Sequence, residues 1–243
     1  MCTVTFIPLP DRIFITHNRD EKKVRSRALP PASFQVNGYT LLFPKDGQAG
    51  GSWIGVNENG HSAVLLNGAF EKHDPAPPYH KSRGLVFLDI LASPDLLLAF
   101  QNIRLENIEP FTIILWNGEK LAECRWDALQ KHVRMLDAAK NHVWSSSTLY
   151  ADEIVSKRNE LYSAWQSLHP LPSADDIIRF HFSEGDEDTK NGLRLNRNNL
   201  MLTVSITQVE LTPASCKMKY YDLQDGSVFF QELPIVKAMA FHS

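Results

Sequence analysis

Residues Met1 to Glu21 read MCTVTFIPLPDRIFITHNRDE, and the fold is read outward from them. Cys2 stands directly behind the initiator Met, and a side chain that small normally permits Met removal. A mature chain would then begin with a cysteine carrying both a thiol and an amine. A free thiol titrates near ~8.5 and an α-amine near roughly 8, so at neutral pH the amine can accept the thiol proton. Cys2 to Ile7 is β-branched and aromatic, Pro8-Leu9-Pro10-Asp11 is a turn cluster, and Arg12 to His17 is β-prone again. A hairpin of that kind returns Asn18, Arg19 and Asp20 to the side of Cys2, making a compact set of thiolate, amine, carboxylate and guanidinium. Taken alone, a cysteine at this place in a strand is more often just a small apolar residue.

The chain has 243 residues, 43% hydrophobic and 10% aromatic, enough for a substantial core and one domain spanning residues 1–243. Its net charge of −3 gives no general attraction to nucleic acid, and no nucleic-acid-binding motif is present. Cys2, Cys124 and Cys216 are odd in number and widely spaced, which argues against a disulfide framework and for a reducing, cytoplasmic setting. The start lacks the basic region of a signal peptide. The apolar region Leu85 to Phe100 is broken by Asp89, Ser93, Pro94 and Asp95, so no membrane span is expected. No HExxH or cysteine–histidine set appears, and neither metal nor cofactor is expected.

Along the chain, Lys22 to Arg27 is a basic run closed by Pro30 and Pro31, and a solvated loop is its plain reading. The sharper reading has Arg25 or Arg27 leaning over a cleft to select an anionic substrate. Tyr39 to Phe43 is a strand, followed by the loop Pro44 to Ser52, in which Gly50 and Gly51 permit positive φ and close backbone approach. Trp53 to Asn57 and His61 to Gly68 form a hairpin over an Asn59-Gly60 turn. After a rigid loop at Pro75 to Pro78, Ser82 to Ala92 and Asp95 to Ile103 read as two helices, the second started by Ser93 or Pro94, forming a covering layer. Phe111 to Trp116, Lys120 to Trp126 and His132 to Leu136 are sheet, and Trp144 to Leu149 follows. Asp152 to Leu168 and Ser173 to Ser183 are helices, the latter with a capping-box start. Ser183 to Asp188 is an acidic loop without EF-hand spacing. Met201 to Leu211, Met218 to Leu223 and Val228 to Leu233 return to strands.

Cys2 with Asn18-Arg19-Asp20-Glu21 resembles the signature of the NRDE family, to which the transport and Golgi organisation proteins belong. That family is in turn similar to N-terminal-nucleophile hydrolases of the penicillin V acylase and bile salt hydrolase type, which begin with Cys and carry Arg-Asn-x-Asp. Asn18 and Asp20 match that motif, and His17 fills its Arg position. Arg19 carries a charge, but strand alternation puts it on the face opposite Asp20. Trp53 to Asn67 resembles the hydrolases' strand pair ending in Leu-Asn, whose Asn donates to the oxyanion, and the likeness lands on Asn67. Ser146 stands where the relatives carry an Asn. Met201 to Thr207 resembles the family's late Thr-Arg-Ser-Thr-Thr strand, with Val204 at the Arg.

The resemblance implies an α+β fold, a four-layer α-β-β-α sandwich of two antiparallel sheets flanked by helices. It implies Cys2 as nucleophile, Asp20 orienting the amine and Asn67 holding the oxyanion, with His17, Asn18, Arg19 and Ser146 in support. Arg25, Arg27 and Trp53 are the candidate substrate contacts. The reaction implied is hydrolysis of a non-peptide C–N amide bond in a small or lipid-like molecule through a thioester. The alternative is a non-catalytic lipid- or haem-handling protein that keeps the hydrolase shell. Without a CxxCH motif, haem would be held noncovalently.

Overall fold

The computed structural model describes residues 2–71, 73–74, 77–146, 152–183 and 188–236. Met1, two residues of the Pro75–Pro78 loop, Ser147 to Leu149 and the middle of the acidic loop lie outside the described residues. In chain order, β1 (Cys2–Leu9), β2 (Arg12–Lys22), β3 (Leu29–Val36), β4 (Tyr39–Lys45), β5 (Ile54–Asn57) and β6 (Ser62–Asn67) are followed by α1 (Arg83–Leu91) and α2 (Leu96–Asn102). Then come β7 (Phe111–Trp116), β8 (Leu121–Trp126), β9 (Lys131–Leu136), β10 (His142–Ser145), α3 (Asp152–Leu168) and α4 (Ala174–His181). The chain closes with β11 (Asn196–Arg197), β12 (Met201–Leu211), β13 (Ser215–Asp222) and β14 (Val228–Pro234).

The strands make two antiparallel sheets. One runs β10-β1-β2-β12-β13-β14, with β11 on β12, and the other runs β3 to β9 in sequence order. Helices α3 and α4 pack on β10 and β2 of the first sheet, and α1 and α2 on β5, β6 and β7 of the second. The result is the α-β-β-α sandwich. Burial follows position in it: Ile13 to Asp20 of β2 are buried without interruption, because β2 is covered by α4 on one side and the second sheet on the other. In β13 burial alternates residue by residue, the mark of a strand covered on one face.

Three expectations need correction. The stretch after Arg27 forms β3 rather than loop; as the outermost strand of its sheet, with a register shift between Leu29 and Ala32, it tolerates Pro30 and Pro31. Asp95, not Ser93 or Pro94, caps α2, its carboxylate accepting from the Leu98 N–H at 3.0 Å. The strand begun at Arg12 runs through Asn18, Arg19, Asp20 and Glu21 to Lys22, so these residues are part of the ladder.

Candidate active site

The β1–β2 ladder sets Cys2 opposite Arg19 and Thr3 opposite Asn18. On the other edge of β2, Asp20 pairs with Thr203 and Arg19 with Ser205, so Val204 is the extra residue of a bulge in β12. That bulge brings the Thr203 hydroxyl to Asp20: Oγ1 donates to Oδ1 at 2.5 Å and accepts from the Leu195 N–H at 2.7 Å. Burial pushes the Asp20 carboxyl up to about 6, against the pull of the Thr203 bond and the positive charges of Arg158 and Arg197.

Asn18 is spent on structure. Its amide donates to the carbonyls of His181 and Leu193, both at 2.9 Å, and its Oδ1 accepts from His181 Nδ1 at 2.7 Å. The Thr5 hydroxyl sits 2.8 Å from His181 Nε2, and burial holds His181 down to about 3, so the ring is a neutral pin between α4 and the sheet. His17 is also fully buried and pushed far below its ordinary range by that burial.

Arg19 points to the cleft side. Its guanidinium lies 4.0 Å from the Trp53 ring centroid, and Nη2 donates to Asp46 Oδ2 at 2.5 Å. Arg25 Nε donates to the same oxygen at 3.0 Å and lies 3.4 Å from Glu21, while Asp46 Oδ1 accepts from the Gln48 and Ala49 N–H groups. Burial works to raise the Asp46 carboxyl, but the Arg25 bond, the Ala49 N–H and Arg19 outweigh it and hold it below its usual range. Asp46 therefore clips the glycine-rich loop to β2.

These residues line a cleft of ≈ 410 Å³ that also contains Asn67 at the end of β6. The Asn67 carbonyl accepts from Ser146 Oγ at 2.6 Å, so Ser146 braces the two sheets instead of offering an amide. Among the described residues none hydrogen-bonds the Asn67 side-chain amide. The opposite wall is Lys81 with Ser82, Arg83 and Gly84 at the start of α1, and Glu109, which pairs with Arg83 at 3.0 Å. The helix read as a cover is thus also a wall of the site. Arg25 lines the cleft, whereas Arg27 does not: it is engaged by Asp222 at 2.8 Å and by Asp225.

Sequence reasoning missed Asp46, Thr203, Arg83 and the buried Arg158. Only Asp46 carried a signal, as the acid opening the Asp46-Gly47 turn of a loop already singled out.

Two stacked antiparallel sheets between helix pairs are the architecture of the N-terminal-nucleophile hydrolases. Solved structures of that kind are similar throughout. The C2A mutant of conjugated bile acid hydrolase from Clostridium perfringens has TM-score 0.58 and 15% identity, covering 96% of this chain and 92% of that one. Penicillin V acylase from Agrobacterium tumefaciens has TM-score 0.55 and 12% identity, covering 95% and 85%. The Caenorhabditis elegans N-acylethanolamine-hydrolyzing acid amidase ortholog has TM-score 0.54 and 16% identity, covering 85% and 92%. Identities this low carry the fold alone. A search of the curated proteins finds no match. The sequence model of the Transport and Golgi organisation 2 family matches residues 1–210, and the chain belongs to that family.

Proposed function

We propose that this protein is an N-terminal-cysteine hydrolase of a polar, small-molecule C–N amide. The observation that carries the reading is convergence: Asp20 from β2 and Asn67 from β6 line one cleft, beside the end of β1 where Cys2 begins the ladder. With Met1 removed, the Cys2 amine takes the thiol proton and the thiolate attacks the carbonyl carbon. The tetrahedral oxyanion is held by the Asn67 amide, a contribution worth roughly 3 kcal/mol in comparable sites. Collapse breaks the C–N bond as the ammonium returns its proton to the leaving nitrogen, giving a thioester and a free amine. Water, deprotonated by the same amine, then releases the acid and regenerates the thiol. Asp20 orients the amine throughout.

The lining supports a polar substrate over a long alkyl chain. Arg19, Arg25, Lys81 and Arg83 alternate with Asp20, Glu21, Asp46 and Glu109 around the cleft, so an alkyl chain entering it would strip water from charged groups with nothing in return. Cys2→Ala is expected to abolish turnover across an amide library while leaving the melting temperature within a few degrees of wild type. Undiminished turnover in that variant refutes the assignment. The second reading, a binding shell that handles lipid or haem, draws support from Ser146 and Val204, which stand where the resembled families carry Asn and Arg, and the Ser146 hydroxyl is given to the Asn67 carbonyl. Saturable haem or lipid binding by a protein inert to thiol-reactive acylating probes at Cys2 is the outcome that would favour it.

A further inference from the structure

Asn67 carries the oxyanion in the proposed reaction, yet none of the described residues hydrogen-bonds its side-chain amide. Its aim is therefore set by the backbone that bears it. That backbone leaves β6 and turns at once, Gly68 having φ +78°. Its carbonyls are held in succession: Asn67 accepts from Ser146 Oγ at 2.6 Å, Gly68 from Thr112 Oγ1 at 2.8 Å, and Ala69 from Arg125 Nη1. Thr112 of β7 and Arg125 of β8 are paired across their strands, so two neighbours in the sheet reach the same segment. The Arg125 guanidinium also lies 4.7 Å from the Phe70 ring centroid.

Arg125 is in turn held by Glu123, a carboxylate 5% exposed. Glu123 Oε1 accepts from Arg125 Nε at 3.0 Å, and Oε2 from Arg134 Nη2 and Trp144 Nε1, both at 2.9 Å. Trp144 belongs to β10, so this hub ties the two sheets together. Burial works to raise the Glu123 carboxyl, but Arg125 and Arg134 outweigh it and hold it below its usual range. The planar guanidinium presents one edge to that charge and another donor to the Ala69 carbonyl, a division of labour open to a fork and closed to a point charge.

We propose that Thr112 and Arg125 are positioning residues for Asn67: they clamp residues 68–70 behind it, and Glu123 fixes the Arg125 arm of the clamp. The inference rests on the reading of Asn67 as the oxyanion residue.

The test reads the Asn67 amide itself, by nitrogen relaxation of its side-chain NH2 in labelled protein, the signal being assigned by its loss in Asn67→Ala. In wild type its order parameter is expected in the rigid range, about 0.85. Arg125→Lys, whose ammonium can pair with Glu123 or reach Ala69 but not hold both as the fork does, is expected to lower it below about 0.6. Thr112→Val keeps the branched shape while removing the bond to Gly68, and is expected to lower it as well. The Asn57 amide, which donates to the Leu91 carbonyl at 3.1 Å, is the internal control and should stay rigid in both variants. An Asn67 amide already loose in wild type overturns the proposal. So does one still rigid in either folded variant, whatever its melting temperature, and Thr112 and Arg125 would then be structural braces. Should Arg125→Lys fail to fold, Thr112→Val and wild type decide. Turnover gives a second readout: in an active amidase Arg125→Lys is expected to lower kcat by about tenfold at unchanged KM, and to lower it no further in an Asn67→Ala background. Losses that multiply in the double variant overturn action through Asn67. Turnover indifferent to Asn67→Ala sinks the oxyanion reading instead, and the order parameters still judge the clamp.

Discussion

Asp20 works against the fold at neutral pH. Its carboxyl is raised from an ordinary 3.8 to about 6, so between those values the native state holds a proton that the unfolded chain has lost. Its contribution to stability is therefore whole below about pH 4 and declines as pH rises through 6, by about 3 kcal/mol in full. Asp20→Asn has no such term. The stability advantage of Asp20→Asn over wild type, measured by urea unfolding, is expected to grow by that order between pH 4 and pH 7. A difference that stays constant over the range sinks the claim. Buried His17 and His181, both held down, lose stability as pH falls, but they do so in both proteins and cancel from the difference. At this scale the sequence was legible where a motif marks a position, as for Asp20 and Asn67, which line the same cleft. It was illegible where the role is conferred by distant partners. Arg158 sits in a helix full of solvated charges, and nothing in SKRNEL distinguishes it from Lys157. Arg27 reads like Arg25, and only the positions of Asp222 and Asp225 turn it away.

At the scale of elements, the cleft exists because a loop and a helix start lie almost in backbone contact. A Cβ on Gly51 would stand 2.3 Å from the Gly84 carbonyl carbon and 2.6 Å from Leu85 N, both backbone atoms of α1 that cannot swing aside. The Ser52 N–H donates to the Gly84 carbonyl at 3.2 Å, which fastens the loop there. Gly51→Ala must therefore push the loop off the helix, at a cost of about 3 kcal/mol, and should displace Ser82 and Arg83 from the cleft. Gly226 is the control: its φ is +78° with open space around it, so Gly226→Ala is expected to cost about 1 kcal/mol with no effect at the cleft. Equal melting temperatures for the two variants would show that the contact yields. The Gly50-Gly51 pair was readable as a place of positive φ and close approach, and Gly50 indeed has φ +72°. What the backbone approaches was not readable, because local pattern names no partner. The same limit hid β3, whose prolines argue for a loop until the strand is known to lie at a sheet edge.

For the whole molecule, hydrophobic period and turn residues marked most strands and both helix pairs, yet not which strands adjoin. The second sheet is a run of neighbours in sequence, so its order follows from its hairpins. The first joins β2 to β12 and β1 to β10 across most of the chain, and no local pattern specifies those pairings. Such long-range pairing makes the first sheet dependent on the second being in place. The apolar cluster between the layers draws on both, from Val4, Phe6 and Val209 on one side to Leu65 and Trp116 on the other. Nature has left one buried reporter in each sheet. Cys124 lies in β8 and Cys216 in β13, both 0% exposed, and burial pushes both thiols up, Cys124 to about 12. Neither should react with a disulfide reagent in the native state, since the thiolate is the reactive form. If the sandwich unfolds as one unit, Cys124 and Cys216 become reactive at a single denaturant midpoint, coincident with the loss of far-ultraviolet circular dichroism. Mass spectrometry after pulse labelling at each urea concentration separates the two sites. Labelling of Cys216 at lower urea than Cys124 would mean that the first sheet, which carries Cys2 and Asp20, opens while the hairpin sheet stands; the sheet that holds the proposed nucleophile would then be the less stable half, and the two sheets would need separate unfolding free energies.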